Sequence, residues 1–572
     1  MDIQEKLQGL IRSALESLGL PHAVITLEHP ADLSHGDYAT NVALVLAKEA
    51  RSNPRELATR IVSVLSERAP QYLSRIEVAG PGFINFHLSR AFFSDSLSVI
   101  GKMGDRFGHS KILSGKKYLV EYTDPNPFKE FHIGHLMSNA IGESLARLCT
   151  AQGAKVKRMC YQGDIGPHVA KCLWAMRKNI ANLPSRGASA SEKAAFLGRS
   201  YAEGSTLYET DASAKAEIDE INKSIYEGAP RELARLYKLG RKWSLEKFEE
   251  IYRILGTRFD YYVLESEVVH DGVALVEKHK GTIFEESEGA VVFRAERDDP
   301  ALHTRVFINS QGLPTYEAKE LGLNMRKWNK IRPDRSIIIT ANEQRDYFRV
   351  LLAALDKIAP DVRAITEHIS HGMMRFADGK MSSRKGNVIT GESLIAETKK
   401  LVEARLSGRD IALKDQEGIA EIVAVAAIKY SILRQVSSSD IIYDFDKSIS
   451  FEGDSGPYLL YSTVRARSVL AKAKREKVRP SVITVSDPVV PLERMLYRFP
   501  EVVSRAADER APHHIATYLI EISSLFNAWY ASTQIVLLHD NASPYRVQMT
   551  SAFAQVMENG LTLLGMRIPK EM

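Results

Sequence analysis

Apolar residues recur at helical spacing from residue 3 to 18, and a strand-like run follows at 23–27. A second helix leads from the His35-Gly36-Asp37 turn toward Glu49. Asn53-Pro54 opens a third, with Leu57, Ile61 and Leu65 facing inward. Residues 76–88 then read as a turn and a strand that alternates apolar and polar positions. These elements predict a small α/β module over residues 1–90.

The pattern changes at residue 118. Tyr118-Leu119-Val120-Glu121-Tyr122 is a β-branched and aromatic run, Pro125 and Pro127 forbid a continued ladder, and Leu136, Ile141, Leu145 and Leu148 mark one stripe of a helix. A strand at 155–161 completes a strand–helix–strand unit. Residues 175–260 turn helical and polar, as an insertion between two halves of a parallel sheet would. There Ser244 is expected to N-cap a helix, with Lys247 where a capping box prefers an acid. Further strands are predicted at 290–293, 305–309, 336–340 and 366–376, with a helix starting near Thr315. From 396 onward the chain reads as all-helical, with apolar stripes at 422–433 and 459–470. The predicted class is α/β: a parallel-sheet body at 110–395, the N-terminal α/β module, a helical stem at 396–450 and an all-helical domain at 451–572.

Composition narrows the function. A chain of 572 residues makes about three or four domains. With 26% charged and 44% hydrophobic residues it is an ordinary globular composition. A net charge of +5 permits nucleic-acid binding without requiring it. Cys149, Cys160 and Cys172 form no CxxC pair, so neither a zinc site nor a disulfide framework is expected, and no metal ligands are assigned. Residues 1–20 lack the uncharged core of a signal peptide, and no run of 18 apolar residues occurs, so a cytoplasmic protein without a membrane span is expected. The absence of a GxxxxGK[ST] loop removes the kinase- and GTPase-type readings.

Two stretches carry chemistry. His132-Ile133-Gly134-His135 lies where the loop after the first strand meets a helix N-terminus, a place that favours anions. Glycine admits close approach, and each imidazole can donate to a phosphate oxygen. Taken alone, two surface histidines beside a turn is the plainer reading. Downstream, however, stands Lys380-Met381-Ser382-Ser383-Arg384-Lys385-Gly386, a basic small-residue loop of the kind that embraces phosphates. Elsewhere, Phe83, Asn85 and Phe86 are groups that stack on unpaired bases or simply build a strand. The helix after Gly456-Pro457 carries Arg465, Arg467, Lys472, Lys474, Arg475, Lys477 and Arg479 against Glu476, with Tyr458 and Tyr461 ahead. That combination suits RNA as well as a solvated face.

The histidine tetrapeptide and the KMSSRKG loop, in that order, resemble the two ATP-binding motifs of class I aminoacyl-tRNA synthetases. HGDYATNVALVLAK, GPGFINFHL, VEYTDPNPFKEFHIGH, SLEKFEEIYRILGTRFDYYVLES, LPTYEAKELGL, ANEQRDYF, GPYLLYSTVRARS and LGMRIPKEM resemble blocks of the arginyl-tRNA synthetases over almost the whole length. The resemblance implies a Rossmann-type catalytic domain, a tRNA-elbow-binding N-terminal module and a helical anticodon-binding domain at the C-terminus. It also implies a ligase that joins L-arginine to tRNA through an arginyl-adenylate, with ATP and Mg²⁺, as a monomer, and with tRNA needed for activation. His132, His135 and Lys380 would be catalytic. ATP would meet Pro125, Asn126, Lys129, His132, Gly134, His135, His371, Gly372, Met373, Lys380, Met381, Ser382, Ser383 and Lys385. Arginine would meet Glu121, Asn126, Tyr316, Glu320 and Gln344; tRNA would meet Phe83, Asn85, Tyr461, Arg465 and Met572. The chain departs from the family pattern at Met137 (arginine is usual), Ile165 (tryptophan), and Glu320 and Glu143 (aspartate). The rival readings are another class I synthetase, disfavoured by the absent zinc cysteines, and a non-catalytic RNA-binding paralogue, disfavoured because both ATP motifs are intact.

Overall fold

The structure, a computed structural model, describes residues 3–377, 390–407, 413–482 and 488–572. They form two compact units: residues 109–461, 503–517 and 560–572 make one, and residues up to 108 with 462–502 and 518–559 make the other.

The larger unit is built on a parallel sheet of five strands, β1 (Lys117–Glu121), β2 (Lys155–Gln162), β3 (Tyr261–Leu264), β4 (Arg335–Ala341) and β5 (Thr366–His371). Their spatial order is β5-β4-β1-β2-β3, and every neighbouring pair is parallel. The order therefore runs outward in both directions from the β1/β4 pair. A doubly wound sheet binds its ligands at such a reversal, outside the carboxyl ends of the strands. The first crossover helix, α1 (Ile133–Ala151), is buried on nearly every face, which explains why its apolar stripe is broad. The polar excursion contains helices Ala190–Thr210, Ala212–Glu227 and α2 (Arg231–Leu255). Two of the expected strands, Ala290–Arg294 and Thr304–Ile308, belong to a separate antiparallel sheet with Glu285–Ser287, ahead of helix α3 (Tyr316–Lys330).

Several expectations need correction. Ser244 does not start a helix but lies in the middle of α2, whose amphipathic pattern begins at Arg231. The expected strand at 366–376 breaks at Gly372, where a side chain would collide with the backbone of Ser439 and Asp440. Met374–Phe376 pairs instead with Ile441–Tyr443, so the region beyond 396 is not wholly helical. Residues 23–27 form no strand: Val24 is 88% exposed, and only Glu28 bridges Ala39. The helix expected to reach Glu49 is Val42–Leu46.

In the smaller unit, helices Ile3–Ser17 and Pro54–Glu67 cover a three-stranded antiparallel sheet, and their buried Leu7, Ile11, Leu57 and Ile61 share one core with Tyr497. Polar groups reinforce that junction. Asp37, fully buried, accepts from the Leu88 backbone N–H at 2.8 Å and pairs with Arg494. Glu501 is bonded by Tyr38 and His29, and Glu493 by Arg90 and Tyr545. Among the described residues, no helix is long and apolar enough to cross a membrane.

Breaking a buried pair from one side leaves the other charge uncompensated. Asp37→Asn should therefore cost about 3–5 kcal/mol of stability, read as a lowered denaturant midpoint, with arginine affinity unchanged. A midpoint equal to the parent's would show that Arg494 is satisfied by solvent.

Candidate active site

β1 ends at Glu121 and α1 begins at Ile133; the intervening loop is where the sheet order reverses. Three of its non-glycine residues have positive φ: Thr123 (80°), Asp124 (44°) and Phe128 (69°). Such strain persists only where the surroundings over-determine it. Here Thr123 N–H donates to Ser138 Oγ (2.9 Å), Asn139 Nδ2 donates to Thr123 Oγ1 (2.9 Å), Tyr161 N–H donates to Asp124 Oδ1 (2.7 Å), and Phe128 N–H donates to Ser244 Oγ (2.8 Å).

The loop delivers two histidines to the first turn of α1. Their rings stack 3.5 Å apart, and His132 N–H donates to His135 Nδ1 at 3.3 Å, which leaves that nitrogen an acceptor. A side chain at Gly134 would press on the His132 ring, so the close stack requires glycine. Burial, with Lys129 and His371 nearby, draws His132 down to about 4, although its edge reaches solvent. Burial and the neighbouring His132 hold His135 well below its ordinary value. Both are therefore neutral near pH 7 and meet an anion as N–H donors rather than as cations. Positive charge comes from Lys129, whose ammonium also sits 5.0 Å over the Tyr201 ring. Pro125 is buried in the loop. His371 is buried with Nδ1 2.7 Å from the Gly372 carbonyl and Nε2 unpartnered. The amides of Gly372 and Met373 are engaged by Ser437 O and Asp440 Oδ1, both at 2.9 Å. The Met373 side chain is exposed.

Beside the loop lies a buried charged cluster. Glu121 is 1% exposed and sits 2.6 Å from Lys327; Glu265, equally buried, sits 2.8 Å from Lys319. Glu320 and Asp124 have no cation of their own. Burial, with Glu121 close by, pushes Glu320 up to about 8, and the same two causes raise Asp124. Glu320 Oε2, Asn324 Oδ1 and the hydroxyls of Tyr161 and Tyr347 are buried without a hydrogen-bond partner among the described residues. Tyr161 and Tyr347 both lie within the fields of Glu265 and Glu320, so these unpartnered groups converge. Buried polar atoms are normally satisfied, and such a concentration marks a ligand site. Asn126 and Glu265 both approach Gly163, where a side chain would strike the Asn126 amide.

The structure thus brings Glu121 and Glu320 together and sets Asn126 beside Glu265, while the two histidines stack on each other at the start of α1. Tyr316 and Gln344, by contrast, are exposed at the rim. Sequence reasoning missed Asp124, Tyr161, Glu265, Lys319, Lys327 and Tyr347. The signal available for Lys327 was its place two turns beyond Glu320, on the inner stripe of α3. Lys380, Met381, Ser382, Ser383 and Lys385 lie outside the described residues. Of the expected RNA contacts, Phe83 is 39% exposed, but Asn85 is 3% exposed, so it is Phe83 that offers a free face. Arg465 is held by Asn527 (2.5 Å) and stacks on Tyr530. Tyr461 sits near Phe451, and Met572 is half-buried.

Comparison with known proteins agrees with this architecture. Residues 102–445, more than half of the chain, match the class I tRNA synthetase (R) catalytic domain. Residues 5–88 match the arginyl-tRNA synthetase N-terminal domain, and residues 459–572 match the DALR anticodon-binding domain. The arginine–tRNA ligase of Fusobacterium nucleatum is 31% identical over 550 residues, covering 94% of this chain and 93% of its own. That of Latilactobacillus sakei is 28% identical over the full length of both. The solved Thermus thermophilus arginyl-tRNA synthetase superposes with a TM-score of 0.80 at 25% identity, covering 100% of each chain. The chain belongs to the arginyl-tRNA synthetase family of class I aminoacyl-tRNA synthetases.

Proposed function

We propose that this protein ligates L-arginine to its cognate tRNA with ATP, through an arginyl-adenylate. The observation that carries the reading is the charge imbalance beside β1: Glu121, Asp124, Glu265 and Glu320 face only Lys319 and Lys327. Glu320 and Asp124 resist ionisation there, and a cationic ligand favours their carboxylate forms; arginine brings a guanidinium and an α-ammonium. The guanidinium is planar, with paired donors that two carboxylates at different angles can each match; a lysine ammonium cannot fill both. Lys327 fixes Oε2 of Glu121 and leaves Oε1 for the substrate, while Glu320 takes the second edge of the fork. Tyr316 walls the pocket, and Asn126 and Gln344 orient the amino-acid end.

ATP lies along the loop, with its phosphates on His132, His135 and Lys129, and with Pro125 and Gly134 allowing close approach. Lys380 and Lys385 add charge from the second motif. A carboxylate oxygen of arginine attacks the α-phosphorus, the bond to the β-phosphate breaks, and pyrophosphate leaves. A hydroxyl of the tRNA's terminal adenosine then attacks the arginyl carbonyl, loses its proton and displaces AMP. Alignment and stabilisation of the charge on the α-phosphate supply the rate. Mg²⁺ would enter with the nucleotide, held by its phosphates, as this cation commonly is. Resemblance to the family further implies a monomer acting in the cytoplasm.

Charging of total tRNA with each amino acid in turn tests the reading. Arginine alone should be transferred, and transfer of lysine or of another amino acid instead would overturn it. Removing one preorganised phosphate contact, in His135→Ala, should slow activation by roughly two to three orders of magnitude while arginine affinity stays put. Because both histidines are neutral in the free enzyme, kcat/KM should show no imidazole titration between pH 6 and 8.

Arginine affinity should behave differently. Glu320 holds its proton up to about 8 in the free enzyme, and the guanidinium favours its carboxylate, so binding releases a proton below that pH. Affinity should rise with pH, by at most about tenfold per unit, and level off above about 8. Calorimetry in buffers of different ionisation enthalpy should detect the proton, and Glu320→Gln should remove both the slope and the release.

A further inference from the structure

We infer that Ser244 and Lys247, one turn apart on α2, are positioning residues that hold the histidine loop at both of its ends. The inference rests on the assignment of His132 and His135 to the phosphates.

The front of the loop is held by Ser244. Its Oγ accepts the Phe128 N–H at 2.8 Å and itself donates to the Gly240 carbonyl at 3.1 Å. The Phe128 ring fits the notch at Gly240, where a side chain would collide with it. Phe128 has φ 69°, a conformation a phenylalanine rarely adopts, so contacts must maintain it.

The back of the loop is held by a longer linkage. Gly391 N–H donates to Phe131 O at 2.7 Å, Thr390 bridges His132 in antiparallel fashion, and Gly391 lies flush against the Phe131 ring. The next residue, Glu392, is 2.5 Å from the ammonium of Lys247, which also donates to Ser191 Oγ at 2.7 Å. Lys247 is 7% exposed, an unusual burial for a lysine that this pairing explains. A cavity of about 250 Å³, lined by Lys129, Phe131, Lys247, Phe248, Thr390 and Glu392 among others, lies at this junction. Because the apolar surfaces do not close there, the Lys247–Glu392 bridge fixes their separation. The order of transmission is Lys247, Glu392, the Thr390–Gly391 backbone, then Phe131 and His132. Neither Ser244 nor Lys247 touches the charged pocket around Glu320.

A displacement of about 1 Å in aligned groups costs up to ~10²-fold in rate. Lys247→Met and Glu392→Gln should each lower kcat for tRNA-supported arginine activation by about 10- to 100-fold. The arginine dissociation constant, measured by calorimetry, should stay within about twofold in both. The double variant should be no slower than either single one, and Lys247→Arg should keep most of the rate. Glu392 is 45% exposed at its side chain, so Glu392→Gln carries the test if Lys247→Met fails to fold. Parent-like kcat in Glu392→Gln, additive losses in the double variant, or a matching loss of arginine affinity would each overturn the inference. His135→Ala separates this from failure of the underlying reading. If His135→Ala keeps its activity, the phosphate assignment is wrong. If it is inactive while Glu392→Gln is not, only the positioning role falls.

Discussion

Glu121, Glu265 and Glu320 lie buried with the ammonium groups of Lys319 and Lys327, beside the half-buried Asp124, where the sheet order reverses, and taking such charges out of water is costly. Two of the carboxylates respond by resisting ionisation: Glu320 is held up to about 8, and Asp124 is raised as well. Such a cluster is a poor way to stabilise a fold and an effective way to select a doubly cationic ligand. The surrounding scaffold is accordingly stiff. β1 and β4 are central strands, α1 is buried almost throughout, and α3 carries Lys319, Glu320 and Lys327 on its buried face.

The histidine loop is built on a different principle. Its histidines are kept neutral chiefly by burial, with Lys129 and His371 near both and His132 beside His135, so they offer directed N–H donors rather than a field, and their value depends on placement. That placement is made by a loop with three strained residues, held by hydrogen bonds from α1, β2 and α2. The polar insertion that contains α2 thus contributes directly to the geometry of the reaction centre. Its inner face supplies Ser244 and Lys247, and Tyr237 and Arg241 bond the buried Asp164 at the end of β2.

The smaller unit shows the same use of buried polar groups with a different result. Asp37, Glu493 and Glu501 each engage an arginine, a tyrosine or a histidine from a distant part of the chain, and a shared apolar core surrounds them. Residues from the N-terminal module and from the helical C-terminal part therefore fold as one body, although some 370 residues separate them in sequence. Here Asp37, Glu493 and Glu501 each have a partner, as a structural junction requires.

Local pattern was sufficient for β1, α1 and β2, because each has a strong period and is bounded by proline or glycine. The histidine pair was different: by local pattern alone it read as two surface histidines beside a turn, and only the second basic loop far downstream made it a candidate. Residues 23–27 and the start of α2 were misread for the same reason. Strand formation depends on a partner that the sequence does not name, and Ser244 looks like a cap only if the helix is not already running. Glu121 and Glu320 were legible as candidates. The Lys327 partner of Glu121 and the neighbouring Lys319–Glu265 pair were not, because these groups meet only when α3 and the end of β3 fold over β1. Whether Glu320 is charged, whether the histidines are cations, and which carboxylate lacks a partner are questions of burial and distance. Those quantities arise only when segments far apart in the chain are packed together, so tertiary structure alone decided them.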